Sequence, residues 1–167
     1  VAIVPNAHEV NAGVRTSDFF ETDETFVGRL GHPQMAAAMD REGRLNLAKL
    51  GPIKLVLPEI ANVRANVIRD FFDRQNVELE QVLEVNSMMA TIDLVAQSDW
   101  CAVLPSLMMA SSAYAGRFSV AKLEPSMDLK LVVVEPAARG LSGVAEAFVE
   151  ILREACVDLM KASPTLT

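Results

Sequence analysis

The chain has 167 residues, which is enough for one ordinary domain or two small lobes. Hydrophobic residues make up 51% of it and the formal net charge is −7, a composition that excludes a largely disordered chain and argues against a free-standing nucleic-acid binder. No apolar run is long enough to cross a bilayer.

The first third of the chain predicts strands separated by loops and short helical turns. A β-branched run predicts the first strand, and the polar stretch that follows is expected to be irregular up to about residue 24. In chain order the predicted elements are a strand at 1–4, a strand at 25–30, a turn at 31–33, one helical turn at 35–39, a short helix or turn at 46–51 and a strong strand at 53–58.

The rest of the chain alternates between helices and strands. It predicts a helix at 62–76 with Asn62 as N-cap, a strand at 82–85, a helix at 87–98, a strand at 101–105, a short helix at 106–116, strands at 118–123 and 129–136, and a long helix at 140–162. The buried face of the first of these helices is expected to carry Val63, Val67, Ile68, Phe71 and Phe72, and that of the last to carry Val144, Phe148, Ile151, Leu152 and Ala155. This alternation predicts an α/β protein with mostly parallel strands and helices on both faces of the sheet.

Few residues suit catalysis or metal binding. Cys101 and Cys156 lie far apart in apolar segments, which favours two reduced core thiols over a disulfide. His8 and His32 are the only histidines, and each is expected to have a surface or structural role. The chain has no GxSxG, glycine-rich phosphate loop, HExxH or CxxC motif. We therefore expect no catalytic site, no metal and no cofactor.

Helix starts that directly follow strands are the most promising binding features. They are Pro58 to Asn62, Asn86-Ser87-Met88 and Ser106. Ligands of parallel sheets sit at the carboxyl ends of strands, and the free N–H groups of a helix N-terminus suit a small anion. For any one of these loops taken alone, the pattern favours a polar residue that only caps its helix, and a residue can also do both.

The stretch VLEVNSMMATIDLVAQSDWCAVLPS, residues 82–106, resembles the effector-binding domain of LysR-type transcriptional regulators. Leu94-Val95-Ala96 and Ala102-Val103-Leu104-Pro105 stand in register with that family's pattern. The segments VAIV, DFFETDETFVGRLGHP, NLAKLGPIKLVLP, VIRDFFDRQN and GLSGVAEAFVEILRE resemble its other segments in the same order. The resemblance runs over essentially the whole chain and rests on order and spacing, because each motif alone is loose.

The sequence departs from the family pattern in two places. Ser98-Asp99-Trp100 stands where the family has a Gly-x-Gly turn, so we expect another backbone shape there and expect Trp100 to reshape one wall of the cleft. The first strand, first helix and second strand of the family domain have no counterpart, nor does the winged helix-turn-helix. The start, VAIVPNAHEV, has no initiator Met and no signal peptide, so we expect a fragment whose beginning is missing.

The resemblance implies an α/β fold with two Rossmann-like subdomains, as in type 2 periplasmic binding proteins, the first of them incomplete. Residues 1–24 and 132–167 would belong to the first subdomain and residues 25–131 to the second, with crossover strands at 25–30 and 129–134. Effectors of this family bind in the cleft between the subdomains. The positions that match this cleft are Asn86, Ser87, Met88, Pro58, Glu59, Ile60, Pro5 and Asn6.

By the same resemblance, we expect the chain to be the effector-sensing domain of a cytoplasmic transcriptional regulator. A small molecule, expected to be an organic acid, would control DNA binding through the winged helix-turn-helix of the full-length protein. The domain is expected to associate with itself as a dimer or tetramer, through the helix at 62–73 and the strand at 82–85, and to have no membrane partner. The alternatives are a solute-binding protein of a transport system with the same fold and a small α/β enzyme.

Overall fold

The computed structural model describes residues 1–5, 13–59 and 61–163. The expectations for Asn6, His8 and Ile60 therefore lie outside the described residues. The strands are β1 Ala2–Pro5, β2 Val14–Arg29, β3 Arg44–Asn46, β4 Ile53–Leu57, β5 Leu79–Glu84, β6 Trp100–Pro105, β7 Phe118–Glu124 and β8 Asp128–Pro136. The helices are α1 Pro33–Ala38, α2 Val63–Arg74, α3 Met88–Gln97, α4 Ser106–Met109 and α5 Gly143–Lys161, with 3₁₀ turns at Leu47–Lys49 and Ser112–Tyr114.

The long strand β2 belongs to two sections of one sheet and joins them. The strand order is β1-β8-β2-β6-β4-β5, with β7 pairing with β2 and β3. The first part of β2, up to Asp23, pairs with β8. Its last part, from Glu24 onward, pairs with β6 on one side and β7 on the other. The chain therefore passes from one section to the other between these two residues.

The expectation of an irregular stretch up to residue 24 is wrong. Residues 14–23 are polar and mostly exposed, yet they continue the strand that was predicted only from residue 25. They are extended because their backbone pairs with β8, for example Thr16 opposite Val134. This partner is more than 100 positions away in the chain, so a local hydrophobic pattern could not reveal the pairing.

The parallel arrangement is confirmed only for part of the sheet. Strand β4 pairs in parallel with β5 and β6, and β3 pairs in parallel with β7. Every pair that β2 makes is antiparallel, as is the pair of β1 with β8. Strand–helix–strand alternation predicts the direction of successive β-α-β units, but it gives no information about a long strand that links two sections.

The main core lies between α2 and the section of the sheet that contains β4 and β6. Phe26 and Phe72 are both 0% exposed, and their ring centroids lie 6.1 Å apart. Ile68 and Phe71 complete the inner face of α2, as predicted, whereas Val63 at the start of the helix is 64% exposed. Asn62 caps this helix by accepting a hydrogen bond from the backbone N–H of Arg64 at 2.9 Å.

The predicted buried stripe of the last helix is wrong. Val144, Phe148 and Ile151 are 83%, 58% and 65% exposed. Val149 and Cys156 are buried instead and pack in a cluster with Phe19 and Val133, while Leu152 is half-buried and Ala155 exposed. The helix has apolar residues on two faces, and its sequence period cannot tell which face meets the sheet.

The helix predicted at 106–116 is shorter than expected. Its α-helical part, α4, covers four residues, and a 3₁₀ turn and Gly116 at φ +73° complete the segment. Among the residues that the structure describes, no helix is long and apolar enough to cross a membrane.

Candidate functional site

A cavity of about 200 Å³ lies where β4, β5 and β6 reach their carboxyl ends. The helices α2 and α3 both begin at this edge, and residues at the start of each helix line the cavity. The lining residues are Val56, Leu57, Pro58, Asn62, Arg64, Val85, Asn86, Met88, Thr91, Ala102, Val103 and Leu104. The cavity thus combines apolar strand ends with a few polar side chains, the usual composition of a small-molecule site.

The start of α3 forms one wall. Ser87 is its N-cap, and the Ser87 Oγ accepts a hydrogen bond from the backbone N–H of Ala90 at 3.3 Å. Met88 is 43% exposed and lines the cavity. Thr91, one turn further on, is 7% exposed, lines the cavity and makes no side-chain hydrogen bond within the described part of the chain.

Asn86 and Glu59 tie together the two loops at the mouth of the site. The Asn86 Nδ2 donates to the Glu59 Oε2 at 2.5 Å, and the Asn86 Oδ1 accepts from the Glu59 backbone N–H at 3.0 Å. The loop after β4 and the loop after β5 are therefore linked by two hydrogen bonds. Any ligand that uses the Asn86 side chain has to compete with Glu59 or share it.

Arg64, on the first turn of α2, carries the most extensive polar contacts at the site. Its Nε donates to the Glu24 Oε1 at 2.7 Å, and its Nη2 donates both to the Glu24 Oε2 at 2.8 Å and to the Val103 carbonyl at 2.7 Å. The Glu24 side chain is 1% exposed and that of Arg64 12%. This is a bidentate buried ion pair, a geometry that fixes both side chains.

The sequence interpretation missed Arg64 and Glu24. A cation is disfavoured in the first turn of a helix, because the helix dipole is positive there. Arg64 in that position was therefore a signal that an anionic partner lies nearby. The partner, Glu24, lies 40 positions earlier at the start of the apolar run of β2, and no local pattern connects the two.

The structure brings some of the predicted effector contacts together. Pro58, Asn86 and Met88 line the cavity, while Glu59 and Ser87 lie in the same two loops. Pro5 ends β1 opposite Leu131 of β8 and is not among the lining residues. That these residues contact an effector stays a prediction.

A larger cavity, of about 720 Å³, lies beside the place on β2, between Asp23 and Glu24, where the strand changes partner. Its lining includes three acidic residues, Glu21, Asp23 and Asp128, and one cation, Lys130, whose Nζ lies 3.5 Å from the Glu21 Oε1. This acidic lining would repel an anion, whereas the smaller cavity holds a guanidinium and two helix N-termini. No group of three or more His, Cys, Asp or Glu side chains in the described ranges could hold a metal ion.

The turn at Ser98-Asp99-Trp100 has a backbone shape that needs no glycine. Ser98 is extended, at φ −145°, and its Oγ accepts the backbone N–H of Trp100 at 3.3 Å. The Arg29 guanidinium, hydrogen-bonded to Asp99 at 2.9 Å, lowers the pKa of that carboxyl. Trp100 begins β6 and is not among the residues that line the cavity, which lies at the other end of that strand. That Trp100 reshapes a wall of the cleft stays a prediction.

His32 and both cysteines are buried. His32 is 1% exposed, and its Nε2 lies 3.3 Å from the Asp99 carbonyl oxygen and 3.6 Å from the Cys101 Sγ. Cys101 and Cys156 are buried free thiols, as predicted.

Cys101 is expected to be unreactive in the folded chain. Burial raises the pKa of its thiol to about 12, with the negative charge of Asp99 adding to the shift. At neutral pH roughly one molecule in 10⁵ would carry the reactive thiolate at this position. A thiol reagent such as DTNB should therefore label Cys101 in the unfolded chain within seconds and in the folded chain only very slowly. Labelling of Cys101 at the same rate in both states would contradict this.

Comparison with known proteins supports the architecture. The family profile of the LysR substrate binding domain matches residues 6–157. The regulatory domain of CcmR from Synechocystis PCC6803, solved in complex with 2-PG, superposes with a TM-score of 0.69 at 15% identity, over 92% of this chain and 73% of that chain. The regulatory domain of MetR from N. meningitidis gives a TM-score of 0.66 at 16% identity, over 91% and 68%.

A third solved structure, H₂O₂-bound Corynebacterium glutamicum OxyR carrying C206S, gives a TM-score of 0.73 at 16% identity and covers 98% of this chain and 51% of that chain. This chain thus spans about half the length of that OxyR chain. At such identities the superpositions show the fold alone, and no curated protein matches the sequence significantly. The predicted α/β architecture of the type 2 periplasmic binding proteins is confirmed. Because the family profile covers most of its length, this chain belongs to the LysR substrate binding domain family, the effector-binding domain of LysR-type transcriptional regulators.

Proposed function

We propose that this domain senses a small organic anion in the cavity at the carboxyl ends of β4, β5 and β6. Occupancy of the cavity would change DNA binding through the winged helix-turn-helix that LysR-type regulators carry. The observation that carries the proposal is the convergence of two helix N-termini and the Arg64 guanidinium on one cavity. The family match favours this regulatory role over a transport-associated solute-binding protein.

The electrostatics of the cavity favour a carboxylate. A helix N-terminus contributes about 0.3–1 kcal/mol to a nearby anion, and a hydrogen bond to a charged group contributes about 1.5–3 kcal/mol. The Arg64 Nη1 makes no hydrogen bond within the described residues, and Arg64 lines the cavity. The Arg64 Nη1 and the Thr91 hydroxyl together offer hydrogen-bond donors for the two oxygens of a ligand carboxylate.

The size of the cavity favours a small effector. About 200 Å³ is available, below the roughly 300 Å³ at which drug-sized ligand pockets begin. We infer an acid of a few carbon atoms. The CcmR regulatory domain was solved with 2-PG, which makes that compound a sensible member of a test panel.

We further propose that the cavity belongs to a cleft between two subdomains, residues 1–24 with 132–167 and residues 25–131. The change of partner strand on β2 between Asp23 and Glu24 supports the first boundary. Within the described residues, strand β8 pairs with β1 and the first part of β2 and with no other strand, which favours a second boundary nearer Asp128 than residue 132. The cavity lies next to this crossover, because Arg64 lines it and contacts Glu24.

Calorimetric titration of the chain tests the proposed ligand class. Acetate, pyruvate, succinate and 2-PG are titrated, with acetamide and succinamide as neutral controls of similar shape. We expect at least one of the four acids to bind, and we expect neither acetamide nor succinamide to bind. Thr91→Val, which removes a hydroxyl at nearly constant shape, should weaken binding about ten-fold, the equivalent of one hydrogen bond of roughly 1.4 kcal/mol. Equal binding of acids and amides would refute the proposal.

Ser87→Ala separates capping from ligand contact. The substitution removes the N-cap of α3 and should lower the free energy of unfolding by about 1 kcal/mol, measured by urea denaturation. If the hydroxyl also contacts the effector, as the resemblance predicts, the affinity for the bound acid falls as well. Unchanged affinity would leave Ser87 as a cap alone, and unchanged stability would contradict the capping geometry.

We propose that the domain associates with itself through α2 and β5. Strand β5 ends the strand order of the sheet, and its Val82 and Leu83 are 37% and 38% exposed, while Val63 on α2 is 64% exposed. Leu83→Lys should shift the chain towards the monomer in light scattering after size exclusion. Val144→Lys, which adds the same charge to the exposed face of α5, should leave the oligomeric state unchanged. The reverse pattern would assign the interface to α5.

A further inference from the structure

We propose that the Arg64–Glu24 ion pair couples occupancy of the cavity to the crossover between the two sections of the sheet. An anion bound at Arg64 would compete with Glu24 for the guanidinium. This would weaken the contact that fixes β2 at the crossover, the place between Asp23 and Glu24 where the strand changes partner. The inference rests on the proposed function, since it concerns how binding in that cavity is transmitted.

The contacts of Arg64 join three elements. Arg64 belongs to α2, Glu24 to β2 and Val103 to β6, and the guanidinium donates to the latter two over 2.7–2.8 Å. Val103 also lines the cavity. A displacement of the guanidinium would therefore change contacts to two strands at once.

Two chain segments connect the sections of the sheet: β2 itself and the link between β7 and β8. Glu24 lies where these two segments are in contact. On β2 it is the first residue to pair with β6, opposite Pro105, whereas its neighbour Asp23 still pairs with Asp128 of β8. Its backbone N–H donates to the carbonyl of Met127 at 2.8 Å. Met127 lies in the short link between β7 and β8, so Glu24 contacts both chain segments that cross.

The competition is between the negative charges of the ligand and Glu24, since the two would use different donor atoms of Arg64. Both oxygens of the buried Glu24 carboxylate are held by the Nε and Nη2 of Arg64, while Nη1 lacks a partner in the described part of the chain. A ligand carboxylate at Nη1 would bring a second anion close to Glu24 in a poorly solvated place. The ligand carboxylate and the Glu24 carboxylate would repel each other. The ligand would therefore bind better to a conformation in which Glu24 has moved away. Such differential affinity is what a conformational response requires.

Hydrogen exchange at the Glu24 backbone amide tests the coupling. In the wild-type chain, a saturating concentration of the acid that binds among acetate, pyruvate, succinate and 2-PG should raise the exchange rate of this amide by roughly ten-fold. Glu24→Gln removes the charge at nearly constant shape. It should still bind the acid, with equal or higher affinity, but the acid should no longer change the exchange rate at position 24.

Asp99→Asn serves as the matched control, because it weakens an exposed ion pair, to Arg29 at the other end of β2, and should leave the response to the acid intact. If the acid binds the wild type but the exchange rate at Glu24 does not change, or changes equally in Glu24→Gln, the coupling is refuted while the proposed function stands. If none of the four acids binds, the proposed function fails and the coupling with it.

Discussion

Replacing Arg64 with alanine is expected to lower the free energy of unfolding by about 3–5 kcal/mol, because the substitution leaves a buried carboxylate without its partner. Glu24 is 1% exposed, and both of its oxygens are held by Arg64. Urea denaturation followed by circular dichroism measures the change. A loss of this size would be a large part of the stability of a single domain.

Two controls separate burial from charge. Arg44→Ala breaks the half-exposed pair of Arg44 with Asp40, which solvent screens, and should cost much less stability than Arg64→Ala. The double substitution Glu24→Gln with Arg64→Met removes both charges and should recover most of the loss. A cost for Arg64→Ala no larger than that for Arg44→Ala would contradict the buried ion pair.

Phe72→Ala is expected to lower the free energy of unfolding by about 3–5 kcal/mol, since it deletes a large side chain from the main core. Phe72 is 0% exposed and packs 6.1 Å from the ring of Phe26 and 5.9 Å from that of Phe71. Thermal or urea denaturation of the variant beside the wild type measures the effect.

Phe148→Ala is the matched control for the same residue type. Phe148 is 58% exposed on α5, so its removal should change the stability by no more than about 0.5 kcal/mol. A loss at Phe148 comparable to that at Phe72 would show that the originally predicted stripe of α5 is buried after all.

The segment from β4 to β6 could be predicted well from the sequence. Its strands alternate with helices, and the polar residues Asn62 and Ser87 stand at the helix starts, where both were found to cap. These signals are local, because caps and apolar periodicity act within a few residues. The loops that line the cavity, Pro58 and Asn86-Ser87-Met88, were identified on the same basis.

What could not be predicted depends on contacts between distant residues. The polar first part of β2 is a strand only because β8 lies beside it. The orientation of α5 depends on which of its apolar faces meets Phe19 and Val133. The pairing of Arg64 with Glu24 joins residues 40 positions apart, so neither residue was singled out from the sequence.

A nuclear magnetic resonance titration of the ¹⁵N-labelled chain with succinate, pyruvate and 2-PG tests the central claim most directly, since it locates the bound acid. The account predicts saturable shifts of the backbone amides at the start of α2, Asn62 to Arg64, and at the start of α3, Asn86 to Thr91. Asn62, Arg64, Asn86, Met88 and Thr91 of these two segments line the cavity. Shifts confined to the acidic cavity around Glu21, Asp23 and Lys130, or no saturable shift with any of the acids, would contradict it.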